Sequence, residues 1–88
     1  MRIIWSPNSL KQLEDIGDYI ATDSPGNARK FIDKLIESVE RLKQFPLSGA
    51  NVPESPNLKQ VLVQGYRIIY RPRDSAIEII AVLSPFQL

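Results

Sequence analysis

Gln64-Gly65-Tyr66-Arg67-Ile68-Ile69-Tyr70-Arg71 decides how this chain folds. A Gln-Gly pair ahead of a β-rich run suits a two-residue hairpin turn, because glycine takes the positive φ that such turns demand. Side chains then alternate, with Tyr66, Ile68 and Tyr70 on one side and Arg67, Ile69 and Arg71 on the other. One side is fit for a core, and the other presents guanidinium groups. Back across the turn, Val63 falls opposite Tyr66 and Val61 opposite Ile68, so both valines join the apolar side while Gln60, Leu62 and Gln64 join the other. Lys59 falls by parity at the end of the apolar side, where its stem packs and its ammonium reaches water.

Downstream, Pro72-Arg73-Asp74-Ser75 reads as a four-residue turn that places Arg71 opposite Ala76 and Glu78 diagonal to both arginines. Residues 58–64, 66–71 and 76–83 thus form an antiparallel meander. Upstream, 45–56 carries three prolines, one glycine and two serines, shows neither helical nor strand period, and reads as a connecting loop.

The first half of the chain is helical. Ser6-Pro7 and Ser24-Pro25 each pair an N-cap serine with a proline at the first helical position, where the missing N–H costs nothing. The first helix runs to about residue 22, with Leu10, Leu13, Ile16, Tyr19 and Ile20 as its apolar stripe. The second runs to about residue 43, carried by Ala28, Phe31, Ile32, Leu35, Ile36, Val39 and Leu42. Arg29 with Asp33 and Glu37 with Arg41 are i,i+4 pairs on its wet side. So short a link makes the helices antiparallel neighbours. With 3–5 as an additional strand, the expectation is an α+β domain spanning 1–88, in which a helical hairpin packs on one face of a small, mainly antiparallel sheet in the order β-α-α-β-β-β.

Composition narrows the chemistry. At 88 residues the chain can bury one modest core but no elaborate internal site, so function belongs on a surface. The sequence has 43% hydrophobic and 24% charged residues, as expected of a folded domain. There is no cysteine, which removes disulfides and thiol nucleophiles. There is no histidine either, which removes the usual neutral-pH base and the commonest metal ligand, so neither a metal nor a cofactor is expected. No segment approaches the roughly 20 apolar residues that span a bilayer, and Arg2-Ile3-Ile4-Trp5 follows no signal pattern; a cytoplasmic location without membrane contact is expected. Residues 1–55 hold seven Lys or Arg against eight Asp or Glu, and 56–88 hold four against two. A net charge of +1 supports no general nucleic-acid binding, so any anion site is local.

The candidate residues follow from the open side of the meander. Arg67 and Arg71, with Gln60 beside them, offer bidentate forks for phosphate or carboxylate. Arg67, Arg71 and Glu78 also make an ordinary exposed charge cluster worth ~0–1 kcal/mol per pair. Glu54, in Val52-Pro53-Glu54, either orients a basic group or solvates its loop. Trp5 and Tyr19 read as core or rim residues rather than stacking platforms.

Trp5-Ser6-Pro7, Leu13, Ile16, Tyr19-Ile20 and Ser24-Pro25, then Leu42, Phe45-Pro46, Gly49, Val52-Pro53-Glu54, Tyr66-Arg67-Ile68-Ile69-Tyr70 and Ile77-Glu78-Ile79, together resemble the RelE/ParE superfamily of bacterial toxins. The resemblance covers residues 1 to about 83. It implies the toxin of a type II toxin–antitoxin pair, neutralised by a cognate antitoxin protein. The helical hairpin and its Ser-Pro starts look more like the ParE branch, often described as plasmid stabilisation proteins, which poison DNA gyrase. The alternative is the RelE branch, which cleaves mRNA on the ribosome with basic residues of the open sheet face. Arg67 matches the family's strand arginine and is the one catalytic candidate the resemblance supplies. The chain departs from the pattern at Gly49-Ala50, where members commonly have Gly-Arg, and at Leu83-Ser84-Pro85-Phe86-Gln87-Leu88, where they commonly have a His-Gly-Arg-Arg-like tail. That tail holds no acid, base or positive charge, which favours action by binding over nuclease chemistry. It also raises the alternative of a non-toxic member that still binds antitoxin. Both a homodimer and a toxin–antitoxin hetero-oligomer are compatible with the sequence.

Overall fold

The computed structural model describes residues 1–86. Strand β1 (Arg2–Trp5) leads into α1 (Pro7–Asp23) and α2 (Pro25–Glu40), and a 3-10 turn over Arg41–Lys43 ends the helical half. Then come β2 (Ala50–Val52), β3 (Ser55–Val63), β4 (Tyr66–Pro72) and β5 (Ala76–Leu83). The five strands form one sheet in the order β1-β5-β4-β3-β2, antiparallel except for the parallel β1–β5 pair. This is the expected α+β architecture with one strand more.

That strand lies in the segment expected to be a loop. Ala50 and Asn51 pair with Gln60 and Lys59 of β3, and the register slips at Val52. Three residues flanked by proline are too few to show a period, so only the free edge of β3 makes them a strand.

Both Ser-Pro pairs work as expected. The Ser6 and Ser24 hydroxyls accept from the backbone N–H groups of Ser9 (3.0 Å) and Asn27 (3.3 Å). Ser24 also closes α1 by donating its own N–H to Ile20 O, so one residue ends one helix and starts the next. The Gln64-Gly65 turn has φ of 50° and 87°, the doubly positive pair of a type I′ hairpin. It sets Val63 opposite Tyr66 and Val61 opposite Ile68, as expected.

The core lies between the helical hairpin and the sheet. Phe31, Leu35, Val39 and Leu42 of the second helical segment and Ile16 of α1 meet Val63, Tyr66, Ile68, Tyr70, Ile77, Ile79 and Val82. The α1 stripe is narrower than its sequence suggests. Ser9 and Ile16 are buried with Leu13 and Ile20 beside them, while Leu10 and Tyr19 stand in solvent, because the helix meets β5 along the 9-13-16-20 line. The α2 ion pairs also differ from expectation. Arg41 bonds the Ser38 hydroxyl rather than Glu37, and the ion pairs that form on the helical half, among the described residues, are Lys11–Asp15 and Glu40–Lys43.

The β4–β5 register departs most from the sequence reading. Arg71 faces Glu78, not Ala76, since the turn spans residues 73–76 and is closed by Arg73 N–H to Ala76 O. A bulge opposite Ile69/Tyr70 then inserts Ile80 as an extra residue. Without it, Val82 would fall on the open side; with it, Ile77, Ile79 and Val82 all reach the core.

Candidate functional site

The sheet face away from the helices carries Arg67 between Leu62 and Leu83, and Ile69 between Gln60 and Ala81. Further along lies Arg71 beside Glu78, with Ile4 beyond it. Arg67 Nε donates to Gln60 Oε1 at 2.7 Å, so two of the expected site residues do meet. Arg71 stands apart from them, four residues along the strand and thus roughly 13 Å away. Its Nε is excluded from solvent and lies 3.4 Å from Glu78 Oε1, an ion pair without a well-formed hydrogen bond, and Arg73 Nε approaches the same oxygen at 3.3 Å. The expected cluster of Arg67, Arg71 and Glu78 therefore does not form; Arg73 takes the place given to Arg67, because the shifted register puts Glu78 directly across from Arg71. Glu54 is exposed in the β2–β3 turn, separated from Arg67 by most of the length of β3. Lys59, on the core side as expected, is tied to Asn51 Oδ1 (3.0 Å) and Gly49 O (3.4 Å).

Among the described residues, the groups that Arg67 bonds or faces across the strands offer no proton shuttle. Its partner is a neutral amide and its cross-strand neighbours are leucines, while the guanidinium itself stays charged throughout the physiological range. The arrangement is suited to holding an anion.

A second feature is a groove on the helix-facing side of the same end of the sheet, which the sequence reading missed. Ile16 and Tyr19 of α1, Tyr66 of β4, Val82 of β5 and Phe86 beyond it enclose about 270 Å³, with Gln12, Asp15 and Ser84 as the polar part of the lining. Tyr19 and Phe86 are 67% and 75% exposed, although both are large and apolar enough to bury. Tyr66 also floors an adjoining cleft of about 470 Å³, where Phe31 packs against it at 4.7 Å between ring centroids. The groove draws on three elements far apart in the chain, so no local period announces it; the one available signal was Tyr19, assigned to the core stripe.

A family model described as the ParE toxin of the type II toxin–antitoxin system parDE matches residues 3–85. The chain belongs to the ParE toxin family. A toxin candidate of Sinorhizobium fredii, Y4kP, is 35% identical over 48 residues, covering 54% of this chain and 50% of that protein. The chain thus spans about half the length of the curated relative it matches. A solved chain from the chromosomal ParDE toxin–antitoxin system of P. aeruginosa superposes with a TM-score of 0.80 at 24% identity, covering 94% of each chain. At that identity the likeness speaks for the ParE fold, and the helical hairpin on a five-stranded sheet is that fold. Among the described residues no group of histidine, cysteine or carboxylate side chains could hold a metal ion, and no helix is long and apolar enough to cross a membrane.

Proposed function

We propose that this ParE-family chain is a toxin that arrests growth by binding a target such as DNA gyrase, and that a small antitoxin neutralises it by occupying the apolar groove. The observation that carries this reading is the chemical isolation of Arg67. RNA cleavage needs a base for the ribose 2′-OH and an acid for the departing oxygen, and among the described residues Arg67 is hydrogen-bonded to the Gln60 amide alone. Glu78 is committed to Arg71 and Arg73. What the molecule offers instead is contact area: the exposed rings of Tyr19 and Phe86 flank a concave apolar surface that suits the apolar face of a partner helix. The resemblance to a ParDE toxin–antitoxin chain supports an antitoxin as that partner.

The test is induction of the chain in bacteria, alone and with the adjacent small open reading frame, followed by gyrase supercoiling and ribosome-dependent mRNA cleavage assays on purified protein. Arrest relieved by the neighbour, loss of supercoiling and intact mRNA are expected, with arrest retained in Arg67→Ala. Cleavage of mRNA abolished by Arg67→Ala would instead establish the nuclease. Unimpaired growth with folded, soluble protein would leave a non-toxic family member.

A further inference from the structure

We infer that the open face of the sheet, away from the helices, is where the protein target docks, and that the target meets it with carboxylates set around an apolar patch. The inference rests on the reading that the chain acts by binding a target protein, and it specifies that target's chemistry and the surface that takes it.

A sheet with one wet face ordinarily keeps that face polar. This one does not: strand pairing places Ile4, Leu62, Ile69 and Leu83 on it, and Leu62 and Ile4 are 66% and 39% exposed. The same side carries the positive excess of the chain. The helical residues 6–44 hold six Lys or Arg against seven Asp or Glu. On the sheet, Arg67 donates to the neutral Gln60 amide, and Arg71 and Arg73 share one oxygen of Glu78. Arg2 lines a hollow beside the β4–β5 turn with Ile4 and Arg73, and Asp74 is the carboxylate there. Among the described residues, four guanidinium groups on this face and its adjoining turn thus stand against two carboxylates, Glu78 and Asp74.

Charge alone suits a nucleic acid as well as an acidic protein, and the rest of the face selects between them. Trp5, Tyr66 and Tyr70 all pack toward the core, so these strands offer no ring on which a base could stack. The leucines on either side of Arg67 give a phosphate backbone nothing to bind. Arginine set among exposed aliphatic side chains is instead the composition of a protein interface, in which the stem packs against apolar groups and the guanidinium forks onto a carboxylate. The face also lies on the other side of the sheet from the apolar groove, so changes here should spare binding there.

The test compares wild type with Arg2→Glu/Arg67→Glu and Arg2→Lys/Arg67→Lys, which leave the ion pairs of Arg71 and Arg73 with Glu78 in place. Each is induced in bacteria at matched expression, and the inducer level for half-maximal growth arrest is read. The glutamate pair is expected to raise that level at least about tenfold and the lysine pair by about twofold or less. Arg67→Ala removes one guanidinium of four and shifts it about threefold or less, so arrest persists. The purified glutamate variant should keep the wild-type circular dichroism spectrum and its affinity for the product of the adjacent small open reading frame. Equal arrest by wild type and the glutamate pair overturns the inference and leaves the toxin reading standing. Loss of affinity for that product together with arrest, in folded protein, also overturns it. A labelled DNA duplex of about 30 base pairs that wild type binds and the glutamate pair releases would give the face to nucleic acid and overturn it. Cleavage of mRNA that the glutamate pair abolishes would do the same for the nuclease. If wild type causes no arrest, the toxin reading falls and this inference falls with it.

Discussion

The Tyr70 hydroxyl links the core to the loop ahead of β2. It accepts from Gly49 N–H at 3.0 Å and donates to Pro46 O at 2.9 Å, from a side chain with no solvent exposure. Tyr70→Phe leaves both backbone groups without that partner, and a loss of ~1–3 kcal/mol is expected in urea denaturation. Gly49 is required by the same contact. A Cβ there would stand 2.6 Å from the Tyr70 oxygen and 2.8 Å from Gln60 O, so Gly49→Ala is expected to cost at least as much as the loss of the hydroxyl. Burial raises the Tyr70 pKa above its ordinary value of 10.0, more than the Gly49 bond lowers it. The folded state therefore keeps a proton that the unfolded chain releases. This contribution to stability is complete below the unfolded pKa and is lost as pH rises through the folded one. Wild-type stability should fall above about pH 10 more steeply than that of Tyr70→Phe, compared in melting temperatures from pH 9 to 11.

The two helix starts look identical in sequence and are not equivalent in place. Ser24 makes one exposed cap bond of 3.3 Å. The Ser6 hydroxyl accepts from Ser9 N–H and lies within bonding distance of Ser9 Oγ (3.0 Å) and Ile80 O (3.1 Å), its single proton serving one at a time. Ser6→Ala is thus expected to cost ~1–2 kcal/mol, and Ser24→Ala about half as much, in paired chemical denaturations. The reason lies in β5. Its bulge carries the strand beyond the end of β1, where Ile80 O and Val82 N–H have no neighbouring strand on that edge. α1 supplies the partners instead, with Ser6 and Asn8 toward Ile80 O and Gln12 Oε1 toward Val82 N–H at 2.7 Å. Gln12→Leu should expose this substitution of side chain for strand: faster hydrogen exchange at the Val82 amide, with a stability loss of ~1–3 kcal/mol.

Across the whole molecule, stability and recognition draw on different apolar residues. Leu35 has no exposure and sits between hairpin and sheet, so Leu35→Ala is expected to cost ~2–5 kcal/mol. Tyr19→Ala/Phe86→Ala removes two exposed rings from the groove and should leave the unfolding midpoint nearly unchanged, within ~0.5 kcal/mol per site. The same double variant should weaken relief of growth arrest by the neighbouring gene product. Equal relief of wild type and variant would move the antitoxin to another surface.

Local physics determines much of this protein independently of any tertiary contact. Serine caps and prolines set both helix starts, Gln64-Gly65 set the hairpin register, and strict alternation separated Ile68 and Tyr70 from Arg67 and Arg71, because each depends on residues close together in the chain. The pairing of Arg67 with Gln60 follows from that same register. The remainder depended on elements meeting across distance. β2 exists because β3 offers a free edge. Glu78 joins Arg71 and Arg73 because the second turn sits one residue later than its composition suggests, which moves the partner of Arg71 by two. Tyr19 is exposed because α1 meets β5 along the 9-13-16-20 line, narrower than the stripe its period predicts, which leaves Leu10 and Tyr19 on the flanks. The apolar groove and the cleft beside it arise where α1, α2 and the sheet come together, a surface that no single segment of the sequence contains.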